Sequence, residues 1–203
     1  MKVLFTKRTY APMGGSESLT YQWATRLAAR GHDVRVVCGQ AFDARPRFED
    51  RGVDVIQVKP RGGFLGHVAD ASTLVDLMRI EELERHAEDR DLIHNVGREY
   101  LDSSLSVADE FDLPIVLTPL AHPGQFHGGD TPADFLRYRR ASVITTMTDW
   151  ERAWFGGRRF AAACEAGRVR RTCERGQASC SPGLLFHRRW NWPSVANASR
   201  RSR

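Results

Sequence analysis

The stretch YAPMGGSESLTYQWATRLAARGHDVRVVCG, Tyr10 to Gly39, follows the short apolar run MKVLF and decides how the chain begins. Residues 2–6 (KVLFT) read as a buried strand. Residues 16–30 read as a helix, because Leu19, Tyr21, Trp23, Ala24, Leu27 and Ala28 make a broad apolar side while Gln22, Thr25, Arg26 and Arg30 face water. Gly31 suits the position just past a helix, where a left-handed backbone costs a glycine least. The Val-rich DVRVVC at 33–38 is the next strand. Strand, Gly-Gly turn, helix and strand make one βαβ unit.

The alternation continues along the chain. VDVIQV at 53–58 is a third strand, reached through a polar loop. Helical spacing of Leu74, Leu77, Met78, Ile80 and Leu83 places a helix over 70–88, and DLIHNV at 91–96 is a strand. A helix over 99–111 precedes PIVLT at 114–118; a short helix over 132–140, with Pro132 in its first turn, precedes SVITTM at 142–147. DWERAWF opens a further helix. Short apolar strands alternating with helices predict a parallel sheet buried on both faces, hence a Rossmann-like, doubly wound α/β domain over residues 1–155.

From Gly156 the pattern stops. Residues 156–203 hold 11 Arg, no Lys and 2 Glu, a charge of +9, against −4 for residues 1–155. They also hold Cys164, Cys173 and Cys180 but no paired CxxC, so no metal site is expected. Cys38 ends an apolar run and reads as a small buried hydrophobe. Two readings of this irregular Arg-rich tail stay open. One is a disordered basic segment that binds nucleic acid or another acidic surface without catalysis. The other, which the near absence of acids favours, is an altered reading frame of a GC-rich gene. Either predicts weak packing from about residue 160. No signal peptide and no membrane-length apolar run are visible, so a cytoplasmic protein is expected, with a peripheral place at the inner membrane face as its alternative.

In a doubly wound sheet, ligands bind beyond the carboxyl ends of the strands. The first such loop carries Pro12, Gly14, Gly15 and Ser16. Its glycines let backbone N–H groups approach a ligand, and Ser16 is placed to cap a helix whose N-terminus favours negative charge. This is neither GxGxxG nor a P-loop, and it serves equally as a tight turn before a capped helix. The loop PLAHPGQFHGGD carries His122, His127 and Asp130, and either histidine is equally explained as a solvated loop residue. Arg98 and Glu99 follow the strand at 91–96 and reach the same crevice, whereas His94 inside that strand reads as packed or paired. Thr148 and Glu151 have capping-box spacing at the last helix start. The missing Gly-x-Ser-x-Gly elbow argues against an α/β-hydrolase. The missing GxGxxG and Tyr-x-x-x-Lys argue against a dehydrogenase or epimerase.

Together, P-x-G-G at Pro12–Gly15, LAARGHDVRVV at 27–37, PIVLTPLAHPG at 114–124 and RYRRASVITTMTDWERAWF at 137–155 resemble the N-terminal domain of a GT-B glycosyltransferase of the retaining family four. The resemblance covers about residues 1–155. It implies transfer of a sugar from a nucleotide-diphosphate donor to a hydroxyl of a small-molecule or glycolipid acceptor with retention, without a metal or other cofactor. Gly14 and Gly15 then match the loop near the donor diphosphate. His122 matches the histidine that contacts the donor sugar near the reacting carbon and is the catalytic candidate. Arg98, Glu99, His127 and Glu151 are acceptor-side or cleft candidates. The family's second, donor-binding domain is not recognisable in residues 156–203. The resemblance therefore implies a truncated remnant with little activity unless a complementing chain supplies that half.

Overall fold

The computed structural model describes residues 1–58, 80–124, 128–158 and 184–185. The expected helix segment 70–79, His127 and the expectation of weak packing in the tail lie outside these residues, apart from the two at 184–185. In chain order the elements are β1 Lys2–Tyr10, α1 Ser16–Ala29, β2 Asp33–Ala41, β3 Arg47–Asp50, β4 Val53–Gln57, α2 Ile80–Ala87, β5 Leu92–Val96, α3 Leu101–Glu110, β6 Ile115–Thr118, α4 Pro132–Tyr138, β7 Val143–Thr145, α5 Asp149–Arg158 and β8 Leu184–Leu185.

One sheet has the order β3-β4-β2-β1-β5-β6-β7-β8. The ladders among β4, β2, β1, β5, β6 and β7 are all parallel; β3 and β8 add antiparallel edges. Alternate strand residues face opposite layers, as strand periodicity requires. Val3, Phe5, Val34, Val36 and Val55 join Trp23, Leu27 and Ala28 of α1 in one core cluster. Leu4, Val37, Ile93, Ile115 and Leu117 join Leu83 of α2, Leu105 of α3, Tyr138 of α4 and Phe155 of α5 in the other. This is the expected doubly wound arrangement. Cys38 is fully buried, and burial pushes its thiol up to about 12.

Three expectations need correction. The polar loop before the third strand contains β3: Arg47, Glu49 and Asp50 hide it from a reading based on apolar runs, but only Phe48 needs to be buried on an antiparallel edge. The tail, expected to have no strand, contributes β8, which pairs Leu184 with Thr145 and Leu185 with Ile144. β1 runs to Tyr10 rather than stopping at Thr6, because β2 carries its ladder on to the pair Tyr10↔Ala41.

That extension shapes the site. The β1–β5 ladder ends at Thr6↔Asn95. Past it, β1 follows β2 alone, and β5 ends at Val96, after which Gly97, with a positive φ of 93°, turns the chain away. The strand order reverses direction at β1, so a crevice opens between the carboxyl ends of β1 and β5, the topological switch point of the sheet.

Candidate active site at the carboxyl edge of the sheet

Four loops meet this edge, after β1, β5, β6 and β7. The first is lean. Gly14 has φ of 88°, and a Cβ there would meet Glu17 Oε2 at 2.9 Å, whereas a Cβ on Gly15 would meet nothing within 4 Å. The loop thus has one glycine closed by a carboxylate and one open to solvent. The cap of α1 is Gly15 itself, and no side chain caps it; Ser16 is the first helical residue and accepts Thr20 Oγ1 at its carbonyl. The expected Ser16 cap is therefore absent. Glu17 in the first turn already faces the positive end of the helix.

Beside Glu17 lies Lys7. Its side chain is 3% exposed, and its Nζ stands 3.9 Å from Glu17 Oε1. A Cβ built on Gly97 would lie 3.4 Å from Lys7 Nζ and would collide with Glu99 Oε2. Glu99 Oε2 also accepts the backbone N–H of Arg98 at 3.1 Å. Arg98 turns the other way: its guanidinium lies 3.6 Å from Asp134, and its Cδ and Nε would each be 2.9 Å from a Cβ on Gly129. So Glu99 faces the β1–β5 crevice, while Arg98 binds the β5 loop to the loop that carries His122.

The histidine loop is heavily supported. Thr118 ends β6, and Leu120 takes a positive φ of 53°. Ala121 donates its backbone N–H to Glu151 Oε1 at 3.0 Å, and His122 donates its own to the Gly128 carbonyl at 2.7 Å. Gly124 N–H reaches Asp130 Oδ2 at 3.0 Å, and the buried Tyr138 hydroxyl donates to the Gly129 carbonyl at 2.8 Å. Thr131 and Asp134 complete a capping box at α4 with Pro132 in the first turn, as expected. The His122 side chain is left exposed above this framework.

Glu151 differs from its expected use. Thr148 does cap Glu151 N at 3.0 Å, but the Glu151 carboxylate does not close a capping box. It is 4% exposed and accepts from the backbone N–H groups of Ala121 and Met147, the latter at 2.7 Å. Its carboxylate is occupied in holding the β6 and β7 loops together rather than facing the cleft. His94 is packed, as expected. Its ring stacks on Trp23 with centroids 5.2 Å apart, tilts against Phe5, and shares a 2.9 Å hydrogen bond with Thr118 Oγ1. Burial lowers its pKa from 6.5 to about 3, so the ring stays neutral.

The sequence reading missed Lys7 and Glu17. The clue was present in Val3, Phe5, Lys7: the third residue of a strand face that is otherwise buried is a lysine, which is seldom buried without a task.

A sheet of this order, with Gly-Gly after the first strand and a pinned histidine after β6, has a counterpart among known families. The family model described as "Glycosyl transferase 4-like domain" matches residues 14–171. The chain belongs to this family. Its fold is that of the N-terminal domain of a GT-B glycosyltransferase. Among solved structures, sucrose-phosphate synthase from Thermosynechococcus elongatus superposes with a TM-score of 0.60 at 12% identity, covering 76% of this chain and 44% of that one. An alpha-glucosyltransferase solved with UDP and a 13-mer DNA gives a TM-score of 0.45 at 13% identity, covering 73% of this chain and 37% of that one. The chain thus spans less than half the length of either protein. A search of curated proteins finds no match to this sequence. Among the described residues, no helix is long and apolar enough to cross a membrane.

Proposed function

We propose that this domain is the acceptor-side half of a retaining glycosyltransferase that moves a sugar from a nucleotide-diphosphate donor to an acceptor hydroxyl. The observation that carries the reading is the His122 loop within a family match spanning residues 14–171. An exposed imidazole stands on a backbone fixed at the preceding residue, by Glu151 behind Ala121, and at His122 itself, by the Gly128 carbonyl. A group that must meet a reacting carbon gains most from being held in place beforehand. In this reading His122 touches the donor sugar near that carbon. The open side of Gly15 admits the diphosphate, and Gly14 keeps the turn tight. Arg98 and Glu151 are positioning residues, and Glu99 serves the acceptor side. No metal or cofactor enters the scheme; the nucleotide-sugar is a co-substrate.

Breaking the bond between the anomeric carbon and the diphosphate oxygen needs positive charge around the departing phosphates. At the Gly14–Gly15 loop Glu17 already occupies the positive end of α1, so that helix has little to offer the departing phosphates. We therefore expect the 203-residue chain to transfer sugar slowly by itself and faster when a donor-binding half is supplied as a separate chain. The test is transfer of labelled sugar from a panel of nucleotide-sugars, with and without that second half. His122→Ala should lower the complemented rate by about 100-fold or more. Equal rates for His122→Ala and the parent chain would refute the role of His122.

A further inference from the structure

The crevice between β1 and β5 contains a charged group that the scheme above does not use. Lys7 is the first residue of β1 past the β5 ladder. Its side chain is 3% exposed, and an ammonium that deep needs partners for its three N–H donors. Among the described residues it has one, Glu17 at 3.9 Å, which is an ion pair without a hydrogen bond. Among the described residues no acceptor lies within hydrogen-bond distance of its donors, and Lys7 stands where β1 parts from β5.

Two carboxylates wall the same gap. Glu17 lies over Gly14 and Glu99 over Gly97; at both positions the backbone has positive φ and a Cβ would strike the carboxylate. Glu17 thus pairs with Lys7, and the missing Cβ of Gly97 leaves Lys7 and Glu99 on either side of one small space. The Arg98 guanidinium, next to Glu99 in the chain, is directed to Asp134. Among Lys7, Glu17 and Glu99 the charge is one cation against two anions. A phosphate or carboxylate entering here would meet Lys7 only in the company of two like charges. A hydroxyl meets no such conflict, because it accepts from an ammonium and donates to a carboxylate at once.

We infer that Lys7, Glu17 and Glu99 form a recognition site for the hydroxyl groups of an uncharged polyol or sugar, and that they select such an acceptor against phosphorylated or acidic ones. The inference rests on the glycosyl-transfer reading for the word acceptor; the site itself rests on the geometry of the crevice.

The chain has three lysines, Lys2, Lys7 and Lys59, so selective ¹³Cε-lysine labelling of the full chain makes Lys7 directly observable. Lys7→Met assigns its signal, and the retained amide spectrum of that variant shows that the fold survives. The probes are glucose, galactose, mannose, N-acetylglucosamine and myo-inositol, set against inorganic phosphate and glucose 6-phosphate. The expected result is a saturable shift of Lys7 with at least one neutral probe and a smaller one with phosphate. Glu17→Gln and Glu99→Gln should each weaken the neutral probe about tenfold, the loss expected for one hydrogen bond to a charged group. A Lys7 signal that answers inorganic phosphate as strongly as any sugar, or answers none of the probes, overturns the inference. A parallel titration with uridine diphosphate glucose, read at the Gly15 amide, separates the two readings. A Gly15 response with a silent Lys7 defeats this site and leaves glycosyl transfer standing. A Lys7 sugar response with a silent Gly15 does the reverse.

Discussion

The glycine loop after β1 and the histidine loop after β6 border the same sheet edge but are built on opposite plans. Gly14–Gly15 is held by short-range chemistry: a positive φ, a carboxylate three residues on, and a helix that starts at Ser16 without a side-chain cap. The histidine loop is held from a distance. Glu151 reaches back thirty positions to Ala121, and Tyr138 and Arg98 close on Gly129. The lean loop leaves space for a ligand to bring its own contacts. The braced loop fixes one side chain before any ligand arrives.

The largest effect should come from removing the brace. Glu151→Ala strands the N–H of Ala121 in a buried place and that of Met147 in a part-buried one, and two lost bonds to a charged acceptor predict about 3 kcal/mol of destabilisation in urea unfolding. A loss below about 1 kcal/mol would mean the brace is not structural.

His94 links the two plans, since it touches Trp23 of the glycine-loop helix and Thr118 below the histidine loop. Its folded pKa of about 3 lies below the ordinary 6.5. Between those values the unfolded chain binds the proton and the folded chain does not. The stability that neutral His94 allows is therefore complete above pH 6.5 and is lost as pH falls toward 3. At pH 5 the expected loss from this group is about 2 kcal/mol. His94→Phe should flatten that part of the pH–stability curve; an unchanged slope would remove His94 as its cause.

The two kinds of glycine sharpen the contrast further. Gly129→Ala puts a Cβ 2.7 Å from the Tyr138 hydroxyl at a φ of 72° and should cost about 1–2 kcal/mol. Gly15→Ala meets nothing within 4 Å and should change stability by less than about 0.5 kcal/mol while weakening nucleotide-sugar binding. Paired melting and binding titrations check both. The opposite ranking of the two melts would mean that the lean loop is the strained one.

Much of this fold is legible in the chain because strands buried on both faces must read as apolar runs, and VLF, VRVV, VDVIQV and PIVLT do. The Gly-Gly turn and Gly31 are legible because their demands are local. β3 is not, since an edge strand with polar faces looks like a loop. The end of β1 is not, since Lys7, Arg8 and Thr9 stay in register through β2 rather than through their own apolarity. Glu151 shows the same limit at the site. Its spacing from Thr148 suggests a capping box, but its carboxylate takes a tertiary partner that no local pattern names. Lys7 is visible only once the strand is known to continue and its neighbour to stop.

The central claim is that the lean loop and the braced histidine serve one nucleotide-sugar site. Amide and imidazole NMR of the full chain, titrated with uridine diphosphate glucose in the presence of an unlabelled donor-binding half, tests it most directly. The account predicts that the Gly15 amide and the His122 ring shift together with one saturating dissociation constant, and that Gly15→Ala weakens both responses. Shifts confined to residues 156–203 that vanish with added salt would contradict it, and would instead identify the basic tail as the binding element.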